Sequence, residues 1–138
     1  MYTFINNAWT RLGSDIDGEA ALDESWRGAI SLSSDGMVFA VGAPWNDPSS
    51  GSKAGHVRVY KFSGTGWTQL GLDIDGEAAN DWSGYSVSLS SDGKVLAIGA
   101  PLNDGSGENA GHVRVYQVRL SWNVIKFFTA ITVAHVYL

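Results

Sequence analysis

The sequence predicts an all-β chain of propeller-type blades, each of four antiparallel strands, about two blades in all and so an incomplete propeller. Three observations carry this. A stretch of about 57 residues is written twice, each copy divides into short strands between turn signals, and no segment has helical periodicity. A β-sandwich would also explain the short strands, but it does not require near-identical units.

The first copy runs "LGSDIDGEAALDESWRGAISLSSDGMVFAVGAPWNDPSSGSKAGHVRVYKF" from Leu12; the second runs "LGLDIDGEAANDWSGYSVSLSSDGKVLAIGAPLNDGSGENAGHVRVYQV" from Leu70. The offset is 58 residues at "DIDGEA", 57 at "SLSSDG" and 56 at "AGHVRVY". Two single-residue deletions therefore separate the copies, in polar stretches where loops tolerate a change of length.

Each element follows from local chemistry. "AWTRLG", at Ala8 to Gly13, reads as a strand that finishes a blade before the first copy. "SVSLS" at Ser86 to Ser90 alternates small polar and apolar residues, the period of a strand. "SSDG" is a turn, with Asp shaping it and Gly supplying positive φ. "KVLAIGA" at Lys94 to Ala100 is an apolar strand expected to be covered on both faces, and Pro101 ends it. "HVRVY" at His112 to Tyr116 alternates again, and "SGTG" turns the first copy into "WTQLG" at Trp67 to Gly71. The divisions expected are 1–14, the leading strand of a preceding blade; 15–71, the first blade; 72–125, the second; and 126–138, a divergent apolar tail.

Composition narrows the function classes. With 138 residues and 44% hydrophobic content the chain can bury a core. A formal charge of −5 and the lack of any basic run argue against nucleic-acid binding. Cysteine is absent, which removes disulfides, thiol catalysis and thiolate-bound zinc. The opening "MYTFINNAWTRLG" lacks the basic and apolar regions of a signal peptide. The apolar stretch from Val124 to Leu138 is too short for a membrane span and contains Lys126 and His135.

"GYSVSLSSDGKVLAIGAP", Gly84 to Pro101, resembles the FG-GAP repeat of integrin-α-type propellers, and "GAISLSSDGMVFAVGAP", Gly28 to Pro44, resembles it again. The resemblance covers about residues 9 to 118. It implies a propeller and, by association, extracellular or cell-surface adhesion or recognition of a protein or glycan. The chain departs from it in two places. Integrin-type blades carry a calcium loop rich in Asp and Asn between the first two strands, whereas Asp35 and Asp92 each stand alone there. That site is not carried over. Where the second copy has "WSGYS", the first has Trp26, Arg27 and Gly28, which predicts a distorted blade entrance.

Because adjacent strands are antiparallel, the "SSDG" and "SGTG" turns belong at one end of a blade. The acidic loops, Asp15 to Arg27 and Asp73 to Ser83, belong at the other, with Pro44 to Gly55 and Pro101 to Gly111. That end is the expected functional face. There Asp15, Asp17 and Glu19, and again Asp73, Asp75 and Glu77, offer the hard oxygens that Ca²⁺ prefers. The competing reading is that these acids cap turn amides or are merely solvated. Trp26, Trp45 and Trp82, with Asn46, Asp47, Asn103 and Asp104, are candidates for ligand contact; the aromatics could stack on sugar rings or seal the gap between blades. His56 and His112 are expected to hydrogen-bond across the blade, and Arg58 and Arg114 to pair with acids on a neighbouring strand.

No enzyme signature is present: no G-x-S-x-G, no H-E-x-x-H and no phosphate loop. The carboxylates are equivalent loop copies rather than a pair in contrasting environments. The expected function is non-enzymatic binding, adhesion or structural support, assisted by calcium, with two alternatives: a lectin or carbohydrate-active partial propeller, or a fragment of a larger propeller with no independent function. Two blades leave two apolar flanks open. The chain is therefore expected to associate with copies of itself or to belong to a larger propeller. After "HVRVYQV" the repeat gives way to "RLSWNVIKFF", where Trp122 could begin a replacement fourth strand. The tail beyond reads as an adapted cap, a membrane-associating end or appended sequence.

Overall fold

The computed structural model describes residues 1–18, 28–119 and 134–136. Among the described residues all regular structure is β and there is no helix. The strands are β1 (Tyr2–Ile5), β2 (Ala8–Arg11), β3 (Ile30–Leu32), β4 (Val38–Ala43), β5 (His56–Phe62), β6 (Trp67–Gln69), β7 (Ile74–Asp75), β8 (Ser86–Leu89), β9 (Val95–Ala100), β10 (His112–Gln117) and β11 (Ala134–Val136). They form three antiparallel sheets, none closed into a ring. These are partial propeller blades, as the sequence predicts.

The first blade has the order β3-β4-β5-β6, and β7 also pairs with β5. Strands β6 and β7 are successive pieces of one outer edge: Trp67 lies opposite Phe62, and Asp75 opposite His56. Between them the Leu70 N–H donates to the Val59 carbonyl at 2.7 Å. The second blade repeats the register. Ile30 opposes Val41, and Val41 opposes Arg58; one repeat later Val87 opposes Ile98, and Ile98 opposes Arg114. Here β11 takes the outer place, with Val136 opposite Val113. That is what an adapted cap would do. Trp122 lies outside the described residues.

The "SSDG" turns are built alike. In the first, the Ser33 hydroxyl donates to Asp35 at 2.6 Å, and Asp35 accepts the Met37 N–H at 2.9 Å. In the second, Ser90 donates to Asp92 at 2.7 Å, and Asp92 accepts the Lys94 N–H at 3.1 Å. Gly36 and Gly93 both sit at φ 70°, a conformation open to glycine. The lone aspartates are thus turn formers, and these hydrogen bonds hold both carboxyls below their ordinary range.

The core is the seam between the blades. Val38, Ala40, Val57 and Val59 of the first meet Leu89, Leu96, Ile98 and Tyr116 of the second. Gly42 makes the close approach possible, because a Cβ there would run into the backbone of Gly84. Ser31 and Ser34 tie the inner edges: the Ser31 hydroxyl accepts the Leu89 N–H at 2.8 Å, and the Ser34 N–H donates to the Ser91 carbonyl at 2.9 Å.

Two expectations change. The strand "KVLAIGA" is covered on one face only: Leu96 and Ile98 are buried, whereas Val95 is exposed, because among the described residues no further blade lies behind it. The leading strand is half of a hairpin. Tyr2 opposes Arg11 and Phe4 opposes Trp9, the register in which Tyr60 opposes Gln69 and Phe62 opposes Trp67. "YTFINNAWTRLG" is therefore "YKFSGTGWTQLG" 58 residues earlier. Asn6 and Asn7, at φ 52° and 64°, make its tight turn.

Candidate functional site

The repeated acidic phrase is not wholly a loop. Ile74 and Asp75 lie on the outer strand of the first blade, against His56 and Val57. The phrase that opens the second sequence copy therefore closes the first blade. Asp73 binds Arg58 in two places: the guanidinium Nε donates to Oδ1 at 2.7 Å and Nη2 to Oδ2 at 2.5 Å. Gln69 adds a third donor at 2.7 Å. Arg58 does pair with an acid, but Asp73 stands just before the neighbouring strand β7 and not on it. The guanidinium beside Asp73 pulls its carboxyl below the ordinary aspartate range, against the opposing effect of partial burial.

Four residues on, the phrase turns to the second blade. Glu77 stands 3.6 Å from His112 Nδ1 and 3.8 Å from Arg114 Nη1. Arg114 Nη2 donates to the Asp75 carbonyl at 2.7 Å and the Ser83 hydroxyl at 3.2 Å. One phrase thus clasps two blades, through a side chain at Asp73 and a side chain and a carbonyl at Glu77 and Asp75.

The long loops meet at the end where the phrase lies. The Asn80 N–H donates to the Ser52 carbonyl at 2.9 Å, the Ser83 N–H to Ala54 at 2.9 Å and the Leu102 N–H to Asp81 at 3.4 Å. Within this surface Trp45, Trp82 and Tyr85 form a ring cluster, with centroids 5.7 Å apart for the two tryptophans and 6.2 Å for Trp82 with Tyr85. Both tryptophans are half-buried and Tyr85 is exposed. Tyr85 escapes a sequence reading that looks for tryptophan; its place immediately after Gly84 and one turn beyond Trp82 was the available signal.

The other polar candidates shape the loops. Asp47 accepts the Lys53 N–H at 2.7 Å, and Asp104 accepts the Asn109 N–H at 2.6 Å. Lys53 and Asn109, at φ 53° and 51°, need that anchor. Asn103 is buried, donating to Asp81 at 2.8 Å and accepting the Gly105 N–H at 2.9 Å. Asn46 is buried as well, and its carbonyl accepts the Gly55 N–H at 3.1 Å.

Of the acids considered for calcium, Asp15 and Asp17 are exposed, and Asp15 is bridged to Arg11 at 2.8 Å. Glu19 lies outside the described residues, as does Trp26. His56, Asp73 and Asp75 bring one ligand atom each within 4.8 Å of one another. A cation there would have to share Asp73 with the Arg58 guanidinium, whose charge opposes it. This grouping was missed by the sequence reading because His56 and Asp73 are far apart in the chain and meet only through β5–β7 pairing.

No curated protein matches the chain. No helix among the described residues is long and apolar enough to cross a membrane. Residues 73–116 match the family model of the FG-GAP repeat, and the first copy keeps the strand register of the second.

Proposed function

We propose that the chain is a non-enzymatic binding module of propeller-type blades, working at a cell surface or outside the cell. Its recognition face is the loop end that carries Trp45, Trp82 and Tyr85. One observation carries this reading: loops from both copies are hydrogen-bonded into a single surface with three aromatic rings on it. Rings of this kind, half-buried and held by neighbours, suit stacking on a sugar face or packing on a protein side chain. The polar loop groups are largely spent on loop geometry, so the aromatics are the part left for a ligand.

A glycan array and a surface-display pull-down with the intact chain test this, repeated with Tyr85→Ala and Trp45→Ala. A ligand whose affinity falls at least about tenfold in both variants, with melting unchanged, supports the face. Binding that ignores both substitutions removes it. Calcium assistance belongs to the same proposal and is decided by melting the chain with calcium and with a chelator. A higher Tm in calcium that is lost in Asp75→Asn supports a cation at the phrase. Identical curves leave the phrase as a clasp.

A further inference from the structure

Arg58 and Arg114 occupy the same place in the two copies, and so do His56 and His112. Their surroundings differ in one respect. Arg58 Nε gives its hydrogen to Asp73. Arg114, only 7% exposed, has a buried Nε with no partner, and the buried Nε2 of His112 has none either. A buried guanidinium N–H left unpaired is costly, and natural structures rarely keep one. What the second copy lacks is the acidic phrase that follows the first.

The chain carries one more such phrase, Asp15-Ile16-Asp17, which is exposed. Asp15 is bound by Arg11 at 2.8 Å, just as Asp73 is bound by Gln69 from the equivalent place. It therefore has one of the two side-chain partners that Asp73 has, and lacks the Arg58 equivalent. The Asp73–Asp75 phrase clasps the first blade, whereas among the described residues Asp15–Asp17 follows the two-stranded β1–β2 hairpin and pairs with no strand.

We infer that the Arg114–His112 end of β10 is a docking site for an Asp-x-Asp segment, and that a second copy of this chain fills it with Asp15–Asp17. The register is set by the first blade: Asp17 opposite His112 and Ile16 opposite Val113, as Asp75 lies opposite His56 and Ile74 opposite Val57. Strand β11 covers β10 from Val113 to Val115 and stops short of His112, so one pair has to yield. The flanks brought together are the two halves of the seam already seen. The exposed row Val95 and Val113 repeats Val38 and Val57, and the exposed row Ile30 and Leu32 repeats Val87 and Leu89. The β1–β2 hairpin, a two-stranded sheet by itself, is the element that moves aside. The contact is head-to-tail, so it propagates into a ring where the rotation closes and into a filament where it does not. It rests on the repeat geometry and is independent of what the aromatic face binds.

The natural chain has no cysteine, which makes a selective cross-link available. Full-length Ile16→Cys and Val113→Cys proteins are mixed and oxidised. The proposal expects a disulfide-linked heterodimer in the mixture that neither protein forms alone. Asp15→Asn added to the Ile16→Cys chain should cut its yield severalfold, and in the cysteine-free chain it should weaken association at least tenfold by sedimentation. Because Asp15 is exposed, that variant leaves the fold intact. A chain that stays monomeric at all concentrations overturns the inference, and so does a cross-link indifferent to Asp15→Asn. So does binding of a free DIDGEA peptide to a chain that never self-associates, since the occupant would then be another protein.

Discussion

The two copies carry nearly the same residues in the same register and bury opposite faces. Leu32 is 57% exposed, and its counterpart Leu89 is 8% exposed; Val113 is 41% exposed, and its counterpart Val57 is 0%. Side-chain chemistry cannot account for this, because the pairs are identical or nearly so. Position in the array accounts for it. The front face of the second blade meets the rear face of the first, and the other two faces meet no further blade among the described residues. In a repeat array the stability of a residue belongs to the interface it sits in and not to the unit that carries it.

The sharpest way to break the comparison is at the glycines. A methyl at Gly42 would meet the backbone of Gly84 across the seam, whereas a methyl at Gly99, its counterpart, would meet only the Ser86 hydroxyl, which can rotate away. Gly42→Ala is expected to cost about 3 kcal/mol or more, and Gly99→Ala about 1. Chemical denaturation of both variants checks this. Equal losses would mean that the seam is not where the core sits.

The apolar pair comes next. Leu89→Ala should cost about 3 kcal/mol, in the range for a buried leucine, and Leu32→Ala less than about 0.5 in dilute monomer. If copies associate through their flanks, the cost of Leu32→Ala grows with protein concentration while that of Leu89→Ala does not. The clasp follows. Asp73→Asn strips the charge partner from a mostly buried Arg58 and is expected to cost about 2 kcal/mol. Asp15→Asn, which breaks only an exposed bridge to Arg11, should cost less than about 0.5 in the monomer.

The strands were legible in the sequence because period-two alternation and the "SSDG" turns are local signals. "HVRVY" had to be a strand whichever blade it stood in. What was not legible is which face each strand would bury, since the same letters give opposite answers in the two copies. The acidic phrase was misread for a related reason. Two aspartates and a glycine are poor strand formers, so "DIDGEA" reads as a loop. Pairing of Ile74 with Val57 and the Arg58 guanidinium under Asp73 override that preference. The Trp45–Trp82 contact was half legible: both tryptophans stand in loops assigned to one end, but their meeting depends on hydrogen bonds between loops that no local pattern encodes.

The smallest effect separates the turns from the seam. Asp73, Asp35 and Asp92 all have carboxyls held below the ordinary range, Asp73 chiefly by Arg58, Asp35 by Ser33 and Asp92 by Ser90. A lowered folded pKa contributes stability that is present above the unfolded value, about 3.9, and is lost as pH falls through the folded one. Stability should therefore decline below about pH 4, and part of that decline should vanish in Asp73→Asn. Asp35→Asn and Asp92→Asn should each remove a smaller and nearly equal part, because both carboxylates are exposed and held by a serine hydroxyl and a backbone N–H, and the Lys94 ammonium 3.5 Å from Asp92 adds little at the surface. Unfolding curves collected from pH 6 down to pH 2 read all three. Equal losses at the two turns beside a larger one at Asp73 would mean that the copies are alike as folded units. The asymmetry would then arise only where one blade meets the next. A larger loss at one turn than the other would show that the difference reaches inside the repeat itself.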